Sequence, residues 1–367
     1  MSLTSEQVHD ALRTVKDPDL HKDLVTLQMV KDVQADGDDV SIHIELTTPA
    51  CPLKDKIRDD IELAVKAKAE EVGTTVGAVN VEFSADVRKA NERAKDRDNP
   101  LPDVKHVIAV GAGKGGVGKS TVAVNLAVGL AQLGAEVGLL DGDIYGPSLK
   151  TMLGLDDVPT PKPRGNILVP FEVHGIRSMT IGKLVPPDKP LIWRGPMAHG
   201  AFKQLATQTD WGELDYLIVD LPPGTGDVPL TLTQLLPLTG AVVVCTPQQV
   251  ALDDATRAVR MFQQLGVEVL GIVENMSYFV GDDGKTYDIF GRGGAEMMAQ
   301  QMNLPFLGAV PIHMELRVNC DAGQPLKNWQ GNEALAEELD RLCKNLAAQI
   351  SIATLSGKFV QPTLSVS

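Results

Sequence analysis

From Asp103 onward, short apolar runs alternate with stretches of helical period: "VKHVIAV", "EVGLL", "DYLIVD", "GAVVVCT", "VEVLGIV" and "LPFLGAV". Runs that are apolar almost throughout belong to strands covered on both faces, and the crossovers between them predict a mostly parallel sheet with helices on either side. Ahead of Asp103 the pattern differs. A helix is expected after Thr4 and Ser5, the strand-like "LQMVKDVQ" and "VSIHIEL" flank the turn-forming "ADGDD", a helix starts near Pro52, and "GAVNVEFS" makes a last strand. Residues 1–88 therefore read as a small α+β domain and 103–350 as a large α/β domain. Between them, the charged and proline-ended "RKANERAKDRDNPLP" makes 89–102 a linker. After about Ser351 no helical stripe is clear, so 351–367 are expected to be a flexible tail.

Composition changes this picture little, since 43% apolar and 22% charged residues are ordinary for a globular protein and 367 residues suit two domains. Charge changes it more. A formal net charge of -14 repels phosphate backbones and anionic lipid headgroups, and no basic patch overrides it, so neither nucleic acid nor membrane is expected as a partner. The N-terminal "MSLTSEQVHDALR" lacks the basic-then-apolar layout of a signal peptide, which with the absence of a bilayer-length apolar run points to the cytoplasm. The cysteines, Cys51, Cys245, Cys320 and Cys343, show no C-x-x-C spacing, so neither a disulfide framework nor a self-contained zinc site can be read from them.

The densest chemistry lies in "VGAGKGGVGKS", where Gly113, Gly118, Lys119 and Ser120 complete G-x-x-x-x-G-K-[ST] after a strand. A dinucleotide-binding turn competes, with Gly111, Gly113 and Gly116 in G-x-G-x-x-G spacing and Asp141 closing the next strand. Such a turn has no use for Lys119 and Ser120, whereas a nucleoside triphosphate with Mg²⁺ needs both. Asp220 ends the apolar "DYLIVD" as a carboxylate of the Mg²⁺ shell should. In "LLDGDIYGPS", Asp143 is assigned to orienting the attacking water and to the metal, and Asp141 to supporting the metal shell or the loop. Lys114 is one lysine more than such a loop requires.

Together "GKGGVGKS", "DGDIYGPS", "WRGPM", "DLPPGTGD", "ENMSYF" and "IFGRGGAE" resemble the Mrp/ApbC branch of the deviant Walker A ATPases, iron–sulfur cluster carriers related to MinD, ParA and the nitrogenase iron protein. "TTPACPLKD" is similar to the MIP18-type domain often fused to such ATPases. The resemblance implies a P-loop NTPase fold and a homodimer that hydrolyses ATP with Mg²⁺ and serves apo iron–sulfur proteins and cluster assembly factors. It also implies that Gly113, Lys114, Gly115, Gly116, Val117, Gly118, Lys119, Ser120 and Thr121 cradle the nucleotide. Lys114 would reach the phosphates of the other subunit, Asn275 and Pro311 (with Val310) would lie near the adenine, and Trp193 to Met197 would form a packing or interface element. A positioning ATPase of the MinD or ParA kind and an ATP-switched adaptor without its own cluster are the alternatives.

The chain departs from that family in one place. Many members carry a C-x-x-C pair shortly after "ENMS", and here Gly281 and Gly284 stand at its spacing, where neither can ligate iron. Other thiols are then candidates for cluster chemistry. Cys320 lies in the polar "RVNCDAG", and Cys51 precedes Pro52, a favoured first helical residue, which would set its sulfur against the positive end of a helix, with Asp17 and Glu45 as solvated neighbours. Cys245 and Cys343 read as structural.

Overall fold

In the computed structural model, which describes residues 2–18, 20–89, 99–185, 195–281 and 283–356, the chain divides into two compact units, Met1–Arg88 and Lys89–Ser367. Most of the linker (90–98), Trp193 and Arg194 of the proposed packing element, and 357–367 of the expected tail lie outside the described residues.

The first unit carries α1 (Ser5–Leu12), β1 (Val30–Asp36), β2 (Asp39–Leu46), α2 (Lys54–Glu71) and β3 (Val79–Ala85). Thr4 and Gln7 form a reciprocal capping box that starts α1. β1 and β2 are antiparallel around the Asp36–Asp39 turn, and β3 adds in parallel to β2. Ile57, Ile61, Val65 and Ala69 recur every four residues along α2, and this stripe is buried with Leu12, Ile42 and Ile44.

The second unit contains β4 (Val104–Gly111), α3 (Lys119–Gln132), β5 (Val137–Asp141), α4 (Leu149–Met152), β6 (Phe171–Val173), β7 (Ile176–Met179), α5 (Ile181–Leu184), α6 (Gly195–Thr207) and β8 (Leu214–Asp220). It continues with α7 (Asp227–Leu235), β9 (Gly240–Cys245), α8 (Gln249–Gln264), β10 (Val269–Val280), β11 (Thr286–Tyr287), α9 (Gly294–Gln301), β12 (Phe306–Ile312), α10 (Met314–Asp321) and α11 (Glu333–Ser356). The tail expectation is corrected here: α11 carries on through 351–356 because Ile350 and Ala353 extend its buried stripe.

The nine-stranded sheet runs β11-β10-β9-β4-β8-β5-β7-β6, with β12 paired to β10. The pairs β4/β8, β4/β9, β5/β8, β5/β7, β9/β10 and β10/β12 are parallel, while the short edge strands β6 and β11 run antiparallel. From β4 the chain first moves to one side for β5 and β8 and then crosses to the other for β9. Such a reversal opens a crevice at the carboxyl end of β4, where ligands of open α/β sheets bind. α3 leads out of that crevice, and its residues from Val122 to Leu130 are all buried, as suits a helix covered on more than one side.

Candidate functional site

The carboxyl ends of β4, β8 and β5 lie side by side, with Val110 opposite Asp220 and Asp220 opposite Asp141. The loop from Ala112 to Gly118 closes over this edge. Gly118 has φ 80° and caps the start of α3, and a Cβ there would run into the Asn275 amide. Gly113 abuts the Asp254 carbonyl of α8 so closely that no side chain fits. Both glycines are therefore dictated by close approach of neighbouring groups. The loop after Asp220 is stitched to the same edge, since Gly224 N–H donates to Ala112 O at 2.9 Å and Gly142 N–H to Asp220 O at 2.8 Å.

Lys119 is only 7% exposed, and its ammonium is ion-paired with the fully buried Asp220 and lies 3.4 Å from Ser120 Oγ. Burial pushes the Asp220 carboxyl up, and Lys119 opposes that shift. Its Oδ2 is buried with no hydrogen-bond partner among the described residues. A hydroxyl and a carboxylate oxygen awaiting a partner fit a hard, partly hydrated Mg²⁺ ion rather than a soft metal. Asp143 lines a groove of about 510 Å³ with Tyr145, Pro222 and Pro223, and its Oδ1 accepts from Gly146 N–H at 3.0 Å.

Asp141 clamps the loop rather than facing the groove. Its Oδ1 accepts from Asp143 N–H at 3.1 Å, and its Oδ2 from Thr180 Oγ1 at 2.8 Å and Leu149 N–H at 3.4 Å. Burial, and then the Asp220 charge beside it, pushes the carboxyl up to about 7. Lys114 is half-buried, with no ion pair or hydrogen bond among the described residues, while Gly115 and Gly116 beside it are exposed.

Strand β10 brings in the far side of the loop. Asn275, 4% exposed, donates from Nδ2 to Val117 O at 2.8 Å and sits in register with Val310 of β12, one residue before the buried Pro311. Met276 follows at φ 55° where the β10/β12 register shifts, a local kink in the strand. Sequence reasoning missed Glu274. This buried carboxylate accepts from Gly293 N–H and Ala295 N–H at 2.8 Å and from Ser277 Oγ at 2.5 Å, and so holds the start of α9. Its signal was an acid inside the apolar "VLGIVEN" run. Thr180 was missed too, and "IRSMT" carries no hint of it.

The thiol expectations need correction. Cys320 is 4% exposed on α10, where Asn125 and Asn328 place amide Nδ2 atoms 3.9 and 3.8 Å from Sγ, and burial pushes its thiol up. A side chain sealed behind α3 is no surface ligand. Cys245 is pushed up to about 12 by burial and then by Glu274, and burial also raises Cys343. Cys51 is half-buried and packs on the core of the first unit. Pro52 does not begin a helix: α2 starts at Lys54 with Leu53 as its cap. Asp17 is not solvated but 6% exposed, accepting from Leu20 N–H at 2.9 Å, and Glu45 pairs with Lys31 at 2.6 Å. Gly281 and Gly284 shape the β10–β11 hairpin, with Gly281 N–H donating to Lys285 O and Gly284 at φ 72°. Among the described residues no cluster of three or more His, Cys, Asp or Glu is placed to hold a metal ion. Met197 is 56% exposed on α6.

A parallel sheet with this crossover, a glycine loop opening a helix, and a lysine and a carboxylate at its mouth define a P-loop NTPase of the MinD and ParA fold. The solved MinD cell division ATPase of Pyrococcus furiosus shares that fold, with a TM-score of 0.50 and 20% identity over 65% of this chain and 97% of that one. Residues 103–347 match the NUBPL iron-transfer P-loop NTPase model, and residues 5–78 match an iron–sulfur cluster assembly protein model. The iron–sulfur cluster carrier protein of Deinococcus radiodurans is 51% identical over 94% of this chain and 95% of its own length. That of Synechocystis sp. is 49% identical over 96% and 99%. A nucleotide-binding protein from Archaeoglobus fulgidus, solved in complex with ADP, is 38% identical with a TM-score of 0.54 over 62% of this chain and 89% of that chain. The chain belongs to the iron–sulfur cluster carrier family of P-loop NTPases. No described helix is long and apolar enough to cross a membrane.

Proposed function

We propose that the protein is an ATP-hydrolysing homodimer of the cytoplasm that carries iron–sulfur clusters to apoproteins, its first unit acting with cluster assembly factors. One observation carries the reading: Lys114 has no partner among the described residues, whereas Lys119 in the same loop is engaged with Asp220. A cation left unspent beside a phosphate loop suits transfer to a neighbouring subunit's phosphates, where an added positive charge can be worth about 10³ to 10⁵ in rate when supplied as an arginine finger.

In this reading the amides of Gly113 to Gly118 cradle the phosphates, Lys119 leaves Asp220 to bind the γ-phosphate, and Thr121 continues the helix end that faces the anion. Ser120 and Asp220, with Asp143 close by, would hold Mg²⁺, which when bound neutralises charge on the phosphate oxygens. Asp143 orients the attacking water from the groove. Asn275 and Pro311 stand where β10 and β12 approach the loop and border the adenine. A second reading, an ATP-switched adaptor that binds no cluster itself, is favoured by the glycines at 281 and 284 and by the buried thiols. An anaerobically reconstituted sample holding neither iron nor sulfide would establish it over the carrier.

Complementation tests the dimer. Lys114→Ala and Lys119→Ala are each expected to be inactive, but each chain carries what the other lacks. Mixing equal amounts should restore about a quarter of wild-type ATP turnover, because half the dimers are mixed and each has one complete site. Chains that dimerise with a non-hydrolysable ATP analogue but show no restored turnover would exclude a lysine acting between subunits.

A further inference from the structure

The machinery described so far leaves open what places Asp143, which is held by a loop and by no regular element. That loop, from Asp141 to Leu149, is closed on the Asp141 carboxylate at both ends through the Asp143 and Leu149 amides. Among the described residues the carboxylate in turn has one side-chain donor, the Thr180 hydroxyl at 2.8 Å. Thr180 is fully buried, one residue beyond the Leu140–Met179 pair of β5 and β7, and therefore next to Asp141 across the sheet edge. Its Oγ1 also accepts from Gly182 N–H at 3.1 Å as the cap of α5. A hydroxyl has a single hydrogen, so with the Gly182 amide already donating to it, that hydrogen is committed to Asp141.

A second contact joins the same two segments. A Cβ at Gly182 would lie 3.1 Å from both Cβ and Cγ of Pro147, in the middle of the Asp143 loop. α5 thus supports the loop by packing at Gly182 and by hydrogen bonding at Thr180.

We propose that Thr180, with Gly182 behind it, is the positioning residue that sets where Asp143 stands relative to the phosphates. This rests on the reading of Asp143 as the group that orients water. Thr180 is fully buried, away from the groove that Asp143 lines. It acts by fixing the rotamer of Asp141, and so the path of the backbone that carries Asp143. Loss of the hydroxyl should therefore be felt in the chemical step and hardly at all in ATP binding.

The experiment is steady-state hydrolysis of magnesium–ATP by the full chain, with melting temperature followed in parallel. Thr180→Val keeps the shape and removes the donor. It should lower kcat about tenfold or more while KM for ATP changes less than about threefold, as expected when a buried hydrogen bond is lost from a positioning element. Thr180→Ser should restore kcat to within about threefold of wild type, since the donor returns. Gly182→Ala, which pushes on Pro147 with the hydroxyl intact, should also lower kcat at near-constant KM. It decides the matter if Thr180→Val fails to fold. The inference is overturned by wild-type kcat in Thr180→Val or in a folded Gly182→Ala. It is overturned equally if Thr180→Val loses kcat and KM together and Thr180→Ser is no better. Lys119→Ala run alongside separates the two levels. Turnover surviving in that variant removes the reading of the site itself, whereas a dead Lys119→Ala beside a fully active Thr180→Val removes the present inference alone.

Discussion

The phosphate loop and the β10–β11 hairpin are connected through neighbouring residues of one strand, yet they are built on opposite terms. Asn275 reaches the loop at Val117, and Glu274, its neighbour, reaches the start of α9, where the chain returns from the hairpin. In the loop, residue types are set by backbone approach and buried charge: Gly113 against Asp254, Gly118 against Asn275, Lys119 against Asp220. In the hairpin, turn geometry governs and its outer end faces solvent, with Val280 51% and Tyr287 46% exposed. Nucleotide handling is therefore part of the core, and damage to it should cost stability as well as activity. The segment around Gly281 and Gly284 is a surface feature whose residue types can differ without disturbing the fold.

The sharpest break of this contrast is at Lys119. Its removal strands Asp220, whose other oxygen already lacks a partner among the described residues. Lys119→Ala should lose turnover by at least about 10²- to 10³-fold. It should also lose about 3–5 kcal/mol of stability in urea unfolding, because an uncompensated buried charge remains. Adding Asp220→Asn should recover most of the stability and none of the turnover. A single variant as stable as wild type would show that the loop is not built around this pair.

Asp141 sharpens the contrast on a smaller scale. Its carboxyl, pushed up to about 7 by burial and by Asp220 from an ordinary 3.8, keeps its proton in the folded chain over a range where the unfolded chain has lost it. The stability it contributes is complete below about pH 4 and is lost as pH rises through about 7. Measured without nucleotide or magnesium, wild-type stability should fall by about 3 kcal/mol from this group between pH 5 and 8, and Asp141→Asn should flatten that slope. An unchanged slope in the variant would mean that Asp141 is ionised in the fold.

The same division explains what could be read from the chain beforehand. The parallel sheet was visible because its strands are continuous apolar runs, and the loop because its glycines and lysines crowd into one short stretch whose chemistry is local. Glu274 and Thr180 were not visible, since their roles depend on which strand ends the topology sets side by side. The thiols misled for the same reason. "RVNCDAG" looks polar in sequence, but α10 turns Cys320 inward against Asn125, 195 residues away along the chain, with Asn328 from the turn after α10 closing over it. The start of α2 shifted from Pro52 to Lys54 for a more local reason, Leu53 having taken the cap position.

The smallest effect expected is on thiol reactivity, and it tests the surface half of the comparison directly. Attack on a disulfide reagent requires a thiolate that the reagent can reach. Cys245, Cys320 and Cys343 are buried with their thiols pushed up, while Cys51 is half-buried and none of the four is in a disulfide. The folded chain should therefore take up one equivalent of a thiol-reactive chromogen quickly, and the chain in guanidinium should take up all four cysteines. Cys51→Ser should abolish the fast equivalent at a cost of about 1 kcal/mol in stability, because the half-buried side chain packs on the edge of the first unit's core. Fast labelling that persists in Cys51→Ser and disappears in Cys320→Ser would mean that α10 opens in solution. Cys320 would then return as a candidate for holding a cluster, and the line drawn between a buried phosphate loop and a superficial hairpin would have to move.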